Sequence, residues 1–168
     1  IEQCHYLQAG GYYPACTNVI RQSNGDDNNK LALWHAGGNW GDLWRSAQDV
    51  RIPSVRTILR HNYRLVGMPQ SLFYLNEDLK QADSVAIKEK VALGLDLANK
   101  VQERRLDTSG LDTPEGLELA HSKVIFTWRE QQSYEEALKL YPFVRNMVVP
   151  DIAFQLGPFA PIRKHPEK

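Results

Sequence analysis

Short apolar runs alternate with longer stretches in which apolar residues recur every third or fourth position. The run Leu31-Ala32-Leu33-Trp34-His35 is followed by glycines, the pattern of a buried strand feeding a turn. Leu43, Trp44, Ala47, Val50, Val55, Ile58 and Leu59 then recur at helical spacing, with Pro53 expected to kink or split that helix. Tyr63 to Met68 reads as a second strand ended by Pro69, which has no N–H to give to a ladder. Asn76-Glu77-Asp78 opens a helix with an N-cap and two acids, and the stripe Leu79, Ala82, Ala86, Val91, Leu95, Ala98 and Val101 carries it to Arg105. Gly94 falls inside that stripe.

Residues 106–116 read as loop, Leu117–Ala120 as a helical turn, and Lys123 to Trp128 as the clearest buried strand. Ser133-x-x-Glu136 fits a capping box and Pro142 a stop, so a helix is expected from Ser133 to Tyr141, then a last strand from Val144 to Val149. Strands alternating with helices imply an α/β fold, a parallel sheet between helix layers. Residues 1–157 are expected to form one Rossmann-like domain and 158–168 a linker or tail.

The chain has 168 residues, 42% of them hydrophobic and 24% charged, a composition suited to a globular domain with its own core. Twenty Lys+Arg balance twenty Asp+Glu, so charge implies attraction neither to nucleic acid nor to anionic membrane. No apolar run approaches the roughly 18 residues that span a bilayer, and no signal-peptide pattern opens the chain. It begins on Ile1 rather than Met, which is compatible with a cut or processed end. Cys4 and Cys16 make neither a disulfide framework nor a zinc spacing, and free thiols or a single bridge both fit. The histidines likewise show no metal-ligand spacing, so no metal is expected.

In open α/β sheets ligands bind beyond the carboxyl ends of the strands, so the junctions there carry the candidate chemistry. The first is His35-Ala36-Gly37-Gly38-Asn39-Trp40-Gly41-Asp42. Its glycines permit close backbone approach and the following helix offers unpaired N–H groups. A tight turn capped by Asp42 fits equally well, and His35 reads either as an acid–base group or as a hydrogen-bonded core residue. Pro69-Gln70-Ser71 reads as a turn. Arg129-Glu130 ends the strongest strand. Arginine there suits capture of a carboxylate or phosphate, and pairing with an acid is its bland alternative. Asp151 reads chiefly as a cap. Trp34, Trp44 and Trp128 are expected in the core, with Trp40 the exception, a sugar-stacking candidate.

Taken in order, four blocks resemble the polysaccharide pyruvyl transferase family: His35-Ala36-Gly37-Gly38-Asn39-Trp40-Gly41-Asp42-Leu43-Trp44, Pro69-Gln70-Ser71, Arg129 to Ala137, and Pro150 to Gly157. The resemblance implies the N-terminal half of a GT-B-type enzyme that transfers pyruvate from phosphoenolpyruvate to a pair of sugar hydroxyls as a ketal. It implies that His35, Gly37, Gly38, Asn39, Trp40 and Gly41 line the substrate cleft. Arg129 would hold the donor's phosphate or carboxylate, Ser133 would add a hydrogen bond, and Asp42 would act as base. The partners so implied are a carbohydrate acceptor, phosphoenolpyruvate as donor with no separate cofactor, and a second domain in the same or another chain. The compartment implied is the cytoplasm or the Golgi lumen.

Ala36 stands where the family usually has glycine, Glu130 where it has Asp, and no Arg-Leu-His block is present. The segment between Ser71 and Arg129 is also longer than usual, as an inserted helix would make it. If no second domain follows, an apolar patch is expected near Pro150–Pro161. The alternative readings are half of a nucleotide-sugar glycosyltransferase and a non-catalytic carbohydrate-binding domain.

Overall fold

The computed structural model describes residues 30–34, 37–100 and 106–150. Five parallel strands make one sheet: β1 (Leu31–Trp34), β2 (Gly37–Gly41), β3 (Arg64–Phe73), β6 (Val124–Trp128) and β7 (Arg145–Val148). Both β1 and β2 pair with β3, β1 along Arg64–Gly67 and β2 along Gln70–Phe73, so they act as one interrupted strand. The order is then β1/β2, β3, β6, β7, each strand displaced the same way from the last.

Between the strands lie helices α1 (Arg45–Arg60), α2 (Glu77–Gly94), α3 (Pro114–Lys123) and α4 (Gln131–Leu140). A short β4–β5 ladder (Asn99–Lys100 with Leu106–Asp107) and a 3₁₀ turn (Ser109–Asp112) connect α2 to α3. Right-handed crossovers that always step in one direction put their helices on one face of a sheet. The core follows that rule: Trp34, Leu65, Val124, Phe126 and Trp128 meet Ile52, Val55, Ile87, Val91, Ala137 and Leu140 in one cluster. Alternate positions on the strands, Leu31, Leu33 and Met147, are exposed. Among the described residues, these helices pack on the face that carries Trp34, Leu65 and Phe126, and the architecture is the expected α/β parallel sheet with flanking helices.

Several expected boundaries move, each for a local reason. Pro69 does not end the second strand. The β3–β6 register shifts between Gly67 and Gln70, so the proline sits at an irregularity that needs no N–H, and the strand runs on to Phe73. The glycine-rich stretch Gly37–Gly41 forms β2 instead of a turn, and the turn itself is Asp42–Trp44. Pro53 lies inside α1 without splitting it, and the Ser54 hydroxyl caps the Arg51 carbonyl there at 2.7 Å.

Helix α2 starts as expected, with the Asn76 side chain accepting the Leu79 N–H at 3.1 Å, but it stops at Gly94 rather than Arg105. Asp96 takes a positive φ of 56°, and a Cβ on Gly94 would lie 2.7 Å from Leu59 Cβ on α1, so close packing fixes the glycine and the turn ends the helix. No capping box forms at α4. Glu130 is its N-cap residue, Ser133 lies within the helix, and the Glu136 carboxylate pairs with Lys80 and Lys139. The expectations at Cys4, Cys16, His35, Asp151 and the patch at Pro150–Pro161 concern residues outside the described ones, apart from Pro150 itself.

Candidate functional site

The carboxyl end of β3 is the central feature of this edge, because β2 lies on one side of it and β6 on the other. On the β6 side the Arg129 N–H donates to the Gln70 carbonyl at 3.0 Å, extending the ladder one residue beyond Trp128. The Arg129 Nε then donates to the Ser71 hydroxyl and, at 2.7 Å, to Glu130 Oε1. Ser71 also donates to Glu130 Oε1. Ser133, buried in the first turn of α4, donates to Glu130 Oε2 at 3.0 Å and accepts the Leu72 N–H at 2.9 Å. Two of the blocks picked out in the sequence thus meet: Ser71 from one, and Arg129, Glu130 and Ser133 from the other.

Glu130 has a pKa below the ordinary glutamate range. Partial burial alone would raise it, and the hydrogen bonds from Ser71, Arg129 and Ser133 outweigh that. The carboxylate stays charged at neutral pH, balances Arg129 and holds the guanidinium in one orientation. An Arg side chain fixed by its Nε at a strand end, beside the first turn of a helix, suits a planar oxyanion.

On the β2 side, Asp42 forms a clamp. Its N–H donates to the Phe73 carbonyl at 3.3 Å, and its Oδ2 accepts the N–H groups of Leu75 and Asn76, each at 2.7 Å. Gly41 makes the approach possible: with φ at 121°, a Cβ there would lie 1.8 Å from the Phe73 carbonyl oxygen. Asp42 and Arg129 thus flank β3 from opposite sides, two strand spacings or about 10 Å apart along the edge. Gly37 and Gly38 contribute backbone to β2, and Asn39 does the same.

Trp40 is not a platform at the surface. It is 1% exposed, stands among Trp34, Phe126, Trp128 and Tyr141, and donates its Nε1–H to the Tyr141 hydroxyl at 3.1 Å. Trp44, expected in the core, is 58% exposed.

A polar chain unforeseen in the sequence runs behind this edge. The Tyr74 hydroxyl lies 3.3 Å from that of Tyr141 and donates to Asp83 Oδ2 at 2.9 Å, and Arg45 Nη1 grips both Asp83 oxygens at 2.8 Å. Burial pushes the Tyr141 hydroxyl up to about 12, and burial followed by Tyr141 and Asp83 raises Tyr74 further, so both stay protonated at neutral pH. Arg45 and Asp83 line a cleft between α1 and α2 with Asp49, Pro53, Ala82 and Ala86. Arg51, lowered to about 10 by burial, remains cationic at neutral pH and lies 5.8 Å from the Trp40 ring centre. The one available signal for this network was Asp83 at a position of α2 that faces the core, where an acid demands a partner. Among the described residues no group of three or more His, Cys, Asp or Glu is placed to hold a metal.

No family model matches the chain. Among curated proteins it is similar to one named "Putative pyruvyl transferase EpsO", from Bacillus subtilis (strain 168), with 25% identity over 139 residues, 82% of this chain and 33% of that protein. The chain thus spans about a third of the length of the curated relative it matches. The sheet and its flanking helices are Rossmann-like.

Proposed function

We propose that this chain is part of a pyruvyltransferase, the N-terminal half of a two-domain enzyme that moves pyruvate from phosphoenolpyruvate to two hydroxyls of a sugar. The observation that carries the reading is the convergence of Arg129, Ser71, Glu130 and Ser133 at the carboxyl edge of a parallel sheet, in a chain similar to a pyruvyl transferase. In the reaction, protonation of the donor's methylene carbon leaves a cationic centre, one sugar hydroxyl adds, phosphate departs, and the second hydroxyl closes the ketal. One hydroxyl proton balances the proton given to carbon and the other leaves with phosphate. Arg129 would grip the donor's phosphate or carboxylate and Ser133 would assist. Asp42 would take a hydroxyl proton, and His35, Gly37, Gly38 and Asn39 would border the acceptor.

Arg129 and Glu130 together are neutral, so further cations for this anionic donor would come from a second domain. That neutrality also favours a second reading, a carbohydrate-binding domain without donor chemistry. Titration of phosphoenolpyruvate into the chain at low salt, wild type beside Arg129→Ala, separates the two. The proposal expects binding that weakens at least about tenfold in the variant, or about 1.4 kcal/mol. Absence of binding in the wild type would sink the donor-binding role of this half.

A further inference from the structure

Three of the four tryptophans are buried, and the fourth is on the surface beside the candidate site. Trp44 is 58% exposed, and with it Leu43, Phe73 and Leu75 are exposed too. All four lie at the carboxyl end of the sheet: Leu43 and Trp44 in the turn after β2, Phe73 as the last residue of β3, and Leu75 in the loop that follows it. The Asp42 clamp ties these segments together through Phe73, Leu75 and Asn76. Gly41 pairs with Phe73 across the ladder, so the patch rests on a fixed base.

The polar cluster begins two residues before Phe73, at Ser71, on the same edge. Exposed polar residues rim the patch at Ser46, Asn76 and Glu77. We propose that Trp44, with Phe73 and Leu75, is a stacking subsite for a sugar ring of the acceptor. A pyranose has one apolar C–H face and a rim of hydroxyls, which matches an aromatic surface with a polar border. Size supports a sugar over a protein partner: the four side chains expose on the order of 450 Å², about half of what one partner gives to a stable protein interface. The inference rests on the reading of this chain as the acceptor-binding half of a transferase.

The test uses iodide quenching of tryptophan fluorescence on the 168-residue chain, because Trp44 alone among the tryptophans is open to the quencher. The probes are methyl pyranosides of glucose, galactose and mannose, titrated into the millimolar range. At least one sugar is expected to reduce quenching about twofold or more, with the millimolar affinity of a single stacked ring. In titration calorimetry Trp44→Ala is expected to weaken that sugar's binding about tenfold, while Trp44→Phe retains most of it. Both variants should melt as the wild type does, since the side chain is on the surface.

Quenching unaltered by all three sugars would overturn the subsite, and so would sugar binding unchanged in Trp44→Ala. A Trp44 shielded from iodide before any sugar is added would also overturn it, since the patch would then be an interface. Sugar binding without phosphoenolpyruvate binding would uphold the subsite and sink the donor-binding role of this half; phosphoenolpyruvate binding without sugar binding would uphold that role and overturn the subsite.

Discussion

Replacing Asp42 separates a structural carboxylate from a purely chemical one. Its Oδ2 takes two backbone N–H groups at 2.7 Å, and both donors lie in the loop that leads from β3 into α2. Hydrogen bonds to a charged acceptor contribute roughly 1.5–3 kcal/mol each. The loop is exposed, so in Asp42→Ala water recovers part of both bonds, and the expected loss is about 2 kcal/mol in total. Asp42→Asn keeps an acceptor oxygen but not the charge, and about 1 kcal/mol is expected. In a domain of this size each kcal/mol corresponds to roughly 2–4 °C. The alanine variant should therefore melt about 4–8 °C below wild type and the asparagine variant about half as far below. Urea unfolding checks the free energies, with an unchanged m-value as the sign that both variants reach the same folded state. An alanine variant within about 0.5 kcal/mol of wild type would refute the clamp. Asp42 would then be left with whatever chemistry the site requires.

Other substitutions address the same edge. Gly41→Ala puts a Cβ within 1.8 Å of the Phe73 carbonyl oxygen at φ 121° and is expected to destabilise by about 3 kcal/mol or more, read as a lower urea midpoint. Tyr141→Phe leaves the buried Trp40 N–H without its acceptor, and a loss of about 1–3 kcal/mol with an altered near-UV circular dichroism spectrum is expected. Because the pKa of Glu130 is lower folded than unfolded, the unfolded chain binds more protons as pH falls. Its contribution is thus present above the ordinary value of 4.5 and lost as pH drops through the lower folded value. Urea midpoints followed from about pH 6 to pH 3 should fall less steeply in Glu130→Gln, and an identical slope would refute the assignment.

Where a residue's role follows from its neighbours in the chain, it was legible beforehand. The runs at Leu31 and Val124 became β1 and β6 because continuous apolar residues suit a parallel strand, and Asn76 caps α2 because a short polar side chain reaches the N–H three residues on. The grouping of Arg129 with Ser71 was suggested by the rule that strand ends gather ligands, yet their hydrogen bond spans 58 positions and only the β3–β6 pairing creates it.

Pairing also decided what local signals misjudged. Pro69 continues its strand because a register shift removes the need for its N–H, and the glycine-rich residues 37–41 form a strand because β3 is long enough to hold both β1 and β2. The tryptophans show the limit most plainly. Composition makes Trp40 and Trp44 equivalent, four positions apart. The sheet buries Trp40 against Phe126 and Tyr141 because a strand sends alternate side chains inward, while Trp44, just past the last paired residue, belongs to a turn and stays in water. Sequence alone determined which segments could pair and which could cap. Long-range registry decided which side chains share an edge, because that depends on contacts no local pattern encodes.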